Sequence, residues 1–88
     1  MPRLKFFGSF RSYVSSREIA LAAGSVREAF DQVWADNPKL RAAMLENEAL
    51  RPYVRVLVNG RHVGLAQGLD TPLAPEDEVA IFSPVAGG

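Results

Sequence analysis

One stretch constrains this chain more than any other. Val26, Ala29, Phe30, Val33 and Trp34 recur at i, i+3, i+4, i+7 and i+8, the one-sided apolar stripe of an amphipathic helix. Ser25 supplies an N-cap hydroxyl, and Glu28, three residues on, completes a capping box. Asn37-Pro38 ends the helix. Such a stripe must be buried against another element. With only 88 residues, the surface available to it is one face of one sheet built from the rest of the chain.

The remaining segments read as strands and turns. Residues 3–10 form a first strand in which Leu4 and Phe6 point one way and Lys5 and Phe7 the other. Residues 11–16 are a turn region, and 17–22 resume alternation with Ile19 and Leu21 inward, which predicts a hairpin. Asn37 as cap and Pro38 at the first helical position open a second, shorter helix with Leu40, Ala43 and Met44 as its stripe. Residues 46–53 read as a polar loop. Val54 to Val58 is the clearest strand, Asn59-Gly60 is a strong hairpin signal, and residues 61–63 are a short return strand. A loop at 64–68 and turn chemistry across 70–77 lead to a last strand, Glu78 to Phe82, which Ser83-Pro84 stops. The expected class is α+β: a mixed sheet of about five strands on one main helix plus a short one. Its inward set is Leu4, Phe6, Ile19, Leu21, Val54, Val56, Val58, Val79 and Ile81. Trp34 reads as helix core, His62 as a solvated hairpin residue, and Glu76-Asp77-Glu78 as an exposed acidic turn.

Composition excludes several kinds of chemistry. Ten Lys and Arg balance ten Asp and Glu, so the basic excess expected of a nucleic-acid partner is missing. There is no cysteine, which excludes disulfides, thiolate metal sites and a cysteine nucleophile. A single histidine assembles neither a His-rich metal site nor a triad. No apolar run approaches the roughly 20 residues that cross a bilayer, so no membrane partner is expected and the expected location is the cytoplasm.

The chain ends Gly87-Gly88 directly after a strand, and this ending carries the chemistry. A terminal carboxylate is ionised at neutral pH, and two glycines bring no Cβ into a narrow channel. A slim tail of this kind can deliver its carboxylate to another protein's active site as the substrate of acyl activation. Residues 1–82 then form the folded domain and 83–88 the tail.

The ending from Asp77 to Gly88 resembles that of the MoaD/ThiS family of ubiquitin-like sulfur carriers. Leu4-Lys5-Phe6-Phe7, Val56-Leu57-Val58-Asn59-Gly60-Arg61 and the order of elements match as well. The resemblance implies a β-grasp fold and a carrier that is not itself an enzyme. It also implies that Gly88 is adenylated by a partner related to ubiquitin-activating enzymes and converted to a thiocarboxylate, with Gly87 giving access. ATP is used by that partner, and no cofactor is bound by the carrier. Phe82-Ser83-Pro84-Val85 resembles the Phe-Pro-Pro-Val ending common in the MoaD branch. That branch supplies the small subunit of molybdopterin synthase, and its partner is the large subunit. The alternatives are carriers serving cysteine, thiazole or tRNA thiolation, and modifiers attached to lysines; Ala86 resembles the cysteine-synthesis carriers and archaeal modifiers. By strand parity Phe7, Leu57 and Phe82 share the outward face with Lys5 and Arg55. The resemblance implies that this face, with Pro84 and Val85, docks partner enzymes.

Overall fold

The computed structural model of the chain describes residues 1–63 and 68–83. Its main sheet comprises β1 (Arg3–Phe6), β2 (Glu18–Ala20), β5 (Arg55–Val58), β6 (Arg61–His62) and β7 (Glu78–Phe82), in the order β2-β1-β7-β5-β6. Between them the chain forms α1 (Val26–Asp36), α2 (Pro38–Met44) and a two-stranded hairpin of β3 (Leu45–Glu46) and β4 (Ala49–Leu50). β1 and β7 are parallel, and the other neighbours in the sheet are antiparallel.

Local chemistry explains the helices. Ser25 Oγ accepts the Glu28 N–H at 3.2 Å. Glu28 returns its carboxylate to the N–H of Gly24, one residue before the cap, at 2.8 Å, rather than to Ser25 itself. The expected stripe Val26, Ala29, Phe30, Val33 and Trp34 is buried, and Phe30 and Trp34 pack with ring centroids 5.2 Å apart. Trp34 is core, as its spacing implies, and its indole N–H meets Met44 Sδ of α2 at 3.5 Å. Asn37 does not cap α2 with its side chain; the amide instead donates back to the Val33 carbonyl at 2.9 Å and closes α1.

The first strand is shorter than alternation implies. It stops at Phe6, and Gly8, at φ 62°, turns the chain into a 3-10 turn over Gly8–Tyr13. A left-handed backbone of this kind suits glycine and breaks the strand. The turn drives Phe10 into the core at 2% exposure, and Val14 is buried after it. The expected strand 17–22 contracts to Glu18–Ala20, leaving Leu21 partly buried beside the core. Residues 46–53 are not simply a loop. Asn47 and Glu48, at φ 54° and 64°, form the tight turn of the β3–β4 hairpin, and Arg41 holds both Glu48 carboxylate oxygens at 3.0 Å.

The inward sheet face is largely as alternation predicts. Leu4, Phe6, Val54, Val56, Val79 and Ile81 are buried, while Ile19 and Val58 are partly buried against the same core. Phe10, Leu40, Met44, Val63, Leu69 and Leu73 complete it. Phe10→Ala is expected to cost about 3–5 kcal/mol, as for a buried phenylalanine. Phe7→Ala, at an exposed position three residues earlier, should cost about 0.5 kcal/mol. Urea denaturation of the two variants checks that the ring after Gly8 belongs to the core and the ring before it to the surface.

Candidate functional site

The outward face of the sheet is built by register. Lys5 is paired with Glu18 on one side and Ala80 on the other; Ala80 is paired with Leu57, and Leu57 with His62. These residues form one transverse row. Phe82 is opposite Arg55, and the Phe7 N–H donates to the Ile81 carbonyl at 2.9 Å, which carries the β1–β7 ladder one residue beyond Phe6. Phe7 and Phe82 therefore stand side by side at one end of the face. Phe7 is 41% exposed, while Leu57, Phe82, Lys5 and Arg55 are half-buried. All five candidate docking residues among the described residues lie on this face. Pro84, Val85, Gly87 and Gly88 lie outside the described residues.

Charge divides the face. On the β2–β1–β7 side, Lys5 Nζ lies 2.9 Å from Glu78 and 3.9 Å from Glu18, and Arg3 reaches the same carboxylates at 3.6 and 3.9 Å. Arg55, on the β5 side, directs its guanidinium to backbone carbonyls instead, Pro52 at 2.6 Å and Val54 at 3.3 Å. The quartet of Arg3, Lys5, Glu18 and Glu78 was not legible in the sequence. Glu18 and Glu78 are 60 positions apart, and only the β2-β1-β7 order brings them together (78 − 18 = 60).

The acidic run splits between two roles. Asp77 accepts the Ala74 N–H at 2.8 Å and the Asn59 amide at 2.8 Å, and both bonds hold its carboxyl below its ordinary value. Asn59, at φ 52° before Gly60 at φ 85°, also accepts the Glu78 N–H at 3.0 Å. The β5–β6 turn is thereby fastened to the start of β7. Glu78 itself belongs to β7, and its hydrogen bond to Lys5, with the nearby charges of Lys5 and Arg3, holds its carboxyl below its ordinary value. His62 is half-buried on β6 rather than fully solvated.

A groove of about 440 Å³ adjoins the face at Arg55, lined by Leu50, Val54, Val63 and Leu69. The carboxylates along it are already engaged, Asp70 by Arg27 at 3.0 Å and Glu48 by Arg41 at 3.0 Å. Among the described residues, no group of three or more His, Asp or Glu is placed to hold a metal ion. No helix among them is long and apolar enough to cross a membrane.

A five-stranded mixed sheet in this order, wrapped on one principal helix with its last strand at the centre, is the β-grasp fold of ubiquitin-like proteins. The chain belongs to the ThiS family of ubiquitin-like sulfur carriers and modifiers, whose profile matches residues 4–88. It is 34% identical to small archaeal modifier protein 3 of Haloferax volcanii, across 97% of this chain and 96% of that one. The solution structure of small archaeal modifier protein 1 from Methanosarcina acetivorans superposes with a TM-score of 0.86 at 26% identity, covering 99% of this chain and 95% of that one. A chain of the Amycolatopsis orientalis BexX/CysO complex shares the fold at a TM-score of 0.89 and 22% identity, with both chains covered in full. Members of this class are small carrier or modifier proteins rather than enzymes.

The lowered Glu78 carboxyl sets a pH dependence. Glu78 binds its proton less readily in the folded chain than in the unfolded one, so its ion pair adds stability above the ordinary glutamate range. That contribution drains away as the pH falls through the depressed folded value. Glu78→Gln is expected to flatten the acid limb of the stability curve below about pH 5 without abolishing it, because Asp77 keeps its own lowered carboxyl. Thermal melts across that range, repeated in high salt, provide the check; the salt should shrink the difference between the two proteins.

Proposed function

We propose that the chain is a sulfur carrier whose Gly88 carboxylate is the reacting group. The observation that supports this most is the place of β7. The central strand is the last element before the Gly-Gly ending, so the reacting group follows directly in sequence from the middle of the sheet while the outward face stays available to hold a partner. In the proposed reaction the carboxylate oxygen attacks the α-phosphorus of ATP in a partner adenylating enzyme, releasing pyrophosphate. A hydrosulfide ion then attacks the acyl carbon and displaces AMP with loss of a proton, and the product is a Gly88 thiocarboxylate. The protein has no cysteine, so covalently carried sulfur has the terminal carboxyl as its place.

Phe7, Leu57 and Phe82 are proposed as the apolar part of the docking face, with Lys5 and Arg55 on its rim and Pro84 and Val85 continuing it. Docking through this face converts an encounter between tail and active site into an effectively intramolecular one. The destination proposed first is the large subunit of molybdopterin synthase, supported by the Phe82-Ser83-Pro84-Val85 ending. A second reading, attachment to lysines of other proteins, is supported by the 34% identity to a small archaeal modifier protein along nearly the whole chain.

Incubation with ATP, a sulfur donor and cell extract, followed by intact-mass measurement, tests the proposal. The expected result is the replacement of one oxygen by sulfur at the terminus, lost when Gly88 is deleted. Larger conjugates that also need Gly88 establish the modifier reading, and recovery of molybdopterin synthesis in a deficient strain establishes the first destination. Neither mass change nor conjugates in the unaltered chain overturns both. Phe82→Ala is expected to weaken binding to the adenylating enzyme about tenfold or more, the loss of an interfacial aromatic anchor; unchanged binding removes the face from the proposal.

A further inference from the structure

An asparagine can react with its own backbone. The nitrogen of the next residue attacks the asparagine Cγ and closes a succinimide ring, and its proton leaves with the departing ammonia. Water then opens the ring to aspartate or isoaspartate, so amide and water become acid and ammonia. The chain has three asparagines, and the residue after each decides whether this step is open to it. Pro38 follows Asn37 and has no N–H to give up. Glu48 follows Asn47 and brings a side chain beside the attacking nitrogen. Gly60 follows Asn59, and a Cβ built on it would meet nothing within 4 Å, so that side of the turn is open.

Asn59 is exposed in the β5–β6 turn, so water reaches it. Its carboxamide is nevertheless restrained at both polar atoms. Nδ2 donates to Asp77 Oδ1 at 2.8 Å, and Oδ1 accepts the Glu78 N–H at 3.0 Å. The Asn59 N–H donates to the Glu78 carbonyl at 2.8 Å, which ties the backbone to the same place. Asp77 is braced in turn, because its Oδ2 accepts the Ala74 N–H at 2.8 Å. Presenting the face of Cγ to the Gly60 nitrogen requires turning the carboxamide, and that breaks its bonds to the start of β7.

We propose that Asn59 is a site of spontaneous conversion to aspartate and isoaspartate, held off in the folded chain by its clasp on Asp77, and that conversion releases the β5–β6 turn from β7. The reaction replaces the Nδ2–H donor with a carboxylate oxygen. That oxygen stands against the Asp77 carboxylate in the place of a 2.8 Å hydrogen bond, with no proton between them. Two like charges so close repel each other. Isoaspartate also adds an atom to the main chain, next to the Val58–Val79 pair of the β5–β7 ladder. The release is one-way, because the ammonia is lost to solvent.

The full chain is incubated at mildly alkaline pH, folded and in urea, and conversion at residue 59 is followed by peptide mass and isoaspartate content. Asn59 of the folded chain is expected to convert at least about tenfold more slowly than in urea, as a group denied its near-attack geometry. Asp77→Ala, folded by its thermal melt, should convert at least about fivefold faster than the unaltered chain for the same reason. Glu78→Gln loses an ion pair of β7 but keeps both bonds to the Asn59 carboxamide, so it should convert at the unaltered rate. Equal rates folded and in urea overturn the proposal, as does an Asp77→Ala rate that equals the unaltered one or is matched by Glu78→Gln. Thermal melts read the release. Asn59→Asp should melt below the unaltered chain, and adding Asp77→Asn should recover most of the loss. The new amide at position 77 then donates to the new carboxylate at position 59 while its oxygen still accepts the Ala74 N–H. An Asn59→Asp melt equal to the unaltered one, or a double variant no better than Asn59→Asp alone, overturns the release.

Discussion

The pairing of β7 between β1 and β5 is the interaction on which the rest depends. β7 is the last strand in sequence and the central one in space, and it is parallel to β1 and antiparallel to β5. A parallel pair cannot be closed by a tight turn, so everything between residues 6 and 78 is in effect the crossover. α1 lies within that crossover and covers the inward face, where Val79 and Ile81 are completely buried. Each such side chain contributes about 1.5–3 kcal/mol through burial. The loop closed by the β1–β7 contact is nearly the length of the chain, so this contact is the entropically expensive step in folding.

The same pairing also assembles the outward face, the proposed docking surface. Lys5 comes from β1 and Phe7 directly follows it, Arg55 and Leu57 come from β5, and Phe82 from β7; β7 brings the three groups into two adjacent rows. The face is apolar where Phe7, Phe82 and Leu57 meet and ionic toward β2. Exposed ion pairs of this kind stabilise a fold by little, with a median of about 0–1 kcal/mol. Their stronger consequence is positional, since they hold the Lys5 amine between Glu78 and Glu18, while Arg55 stands apart from them opposite Phe82. A chain of zero net charge thus presents a local pattern of charge rather than a long-range field.

The legible parts of this fold share one property: their signals are local. The Ser25 cap, the stripe of α1, Pro38 at the start of α2, the Asn59-Gly60 turn and the alternation of β5 and β7 are each read within a few residues. The misreadings come from positions where tertiary packing overrides pattern. The first strand ends at Phe6 instead of running on to Phe10, because Gly8 takes a left-handed backbone, and a 3-10 turn rather than a sheet position carries the Phe10 ring into the core. Residues 46–53 carry no glycine at the turn, so a hairpin there is silent; Glu48 holds a left-handed backbone with its carboxylate gripped by Arg41. Asn37 looks like a cap for the helix after it and instead closes the helix before it.

By itself the sequence determined the kinds of element, their order, the face each strand buries and the carboxyl-terminal chemistry the chain could support. These follow from side-chain periodicity, capping and residue type, which act over a few positions. Tertiary structure alone decided that β7 lies between β1 and β5, and with that the Arg3, Lys5, Glu18 and Glu78 quartet and the placing of Arg55 beside the last residue of β7. Register between distant strands is set by the burial of both inward faces at once. No local pattern encodes that condition, and only the assembled core satisfies it.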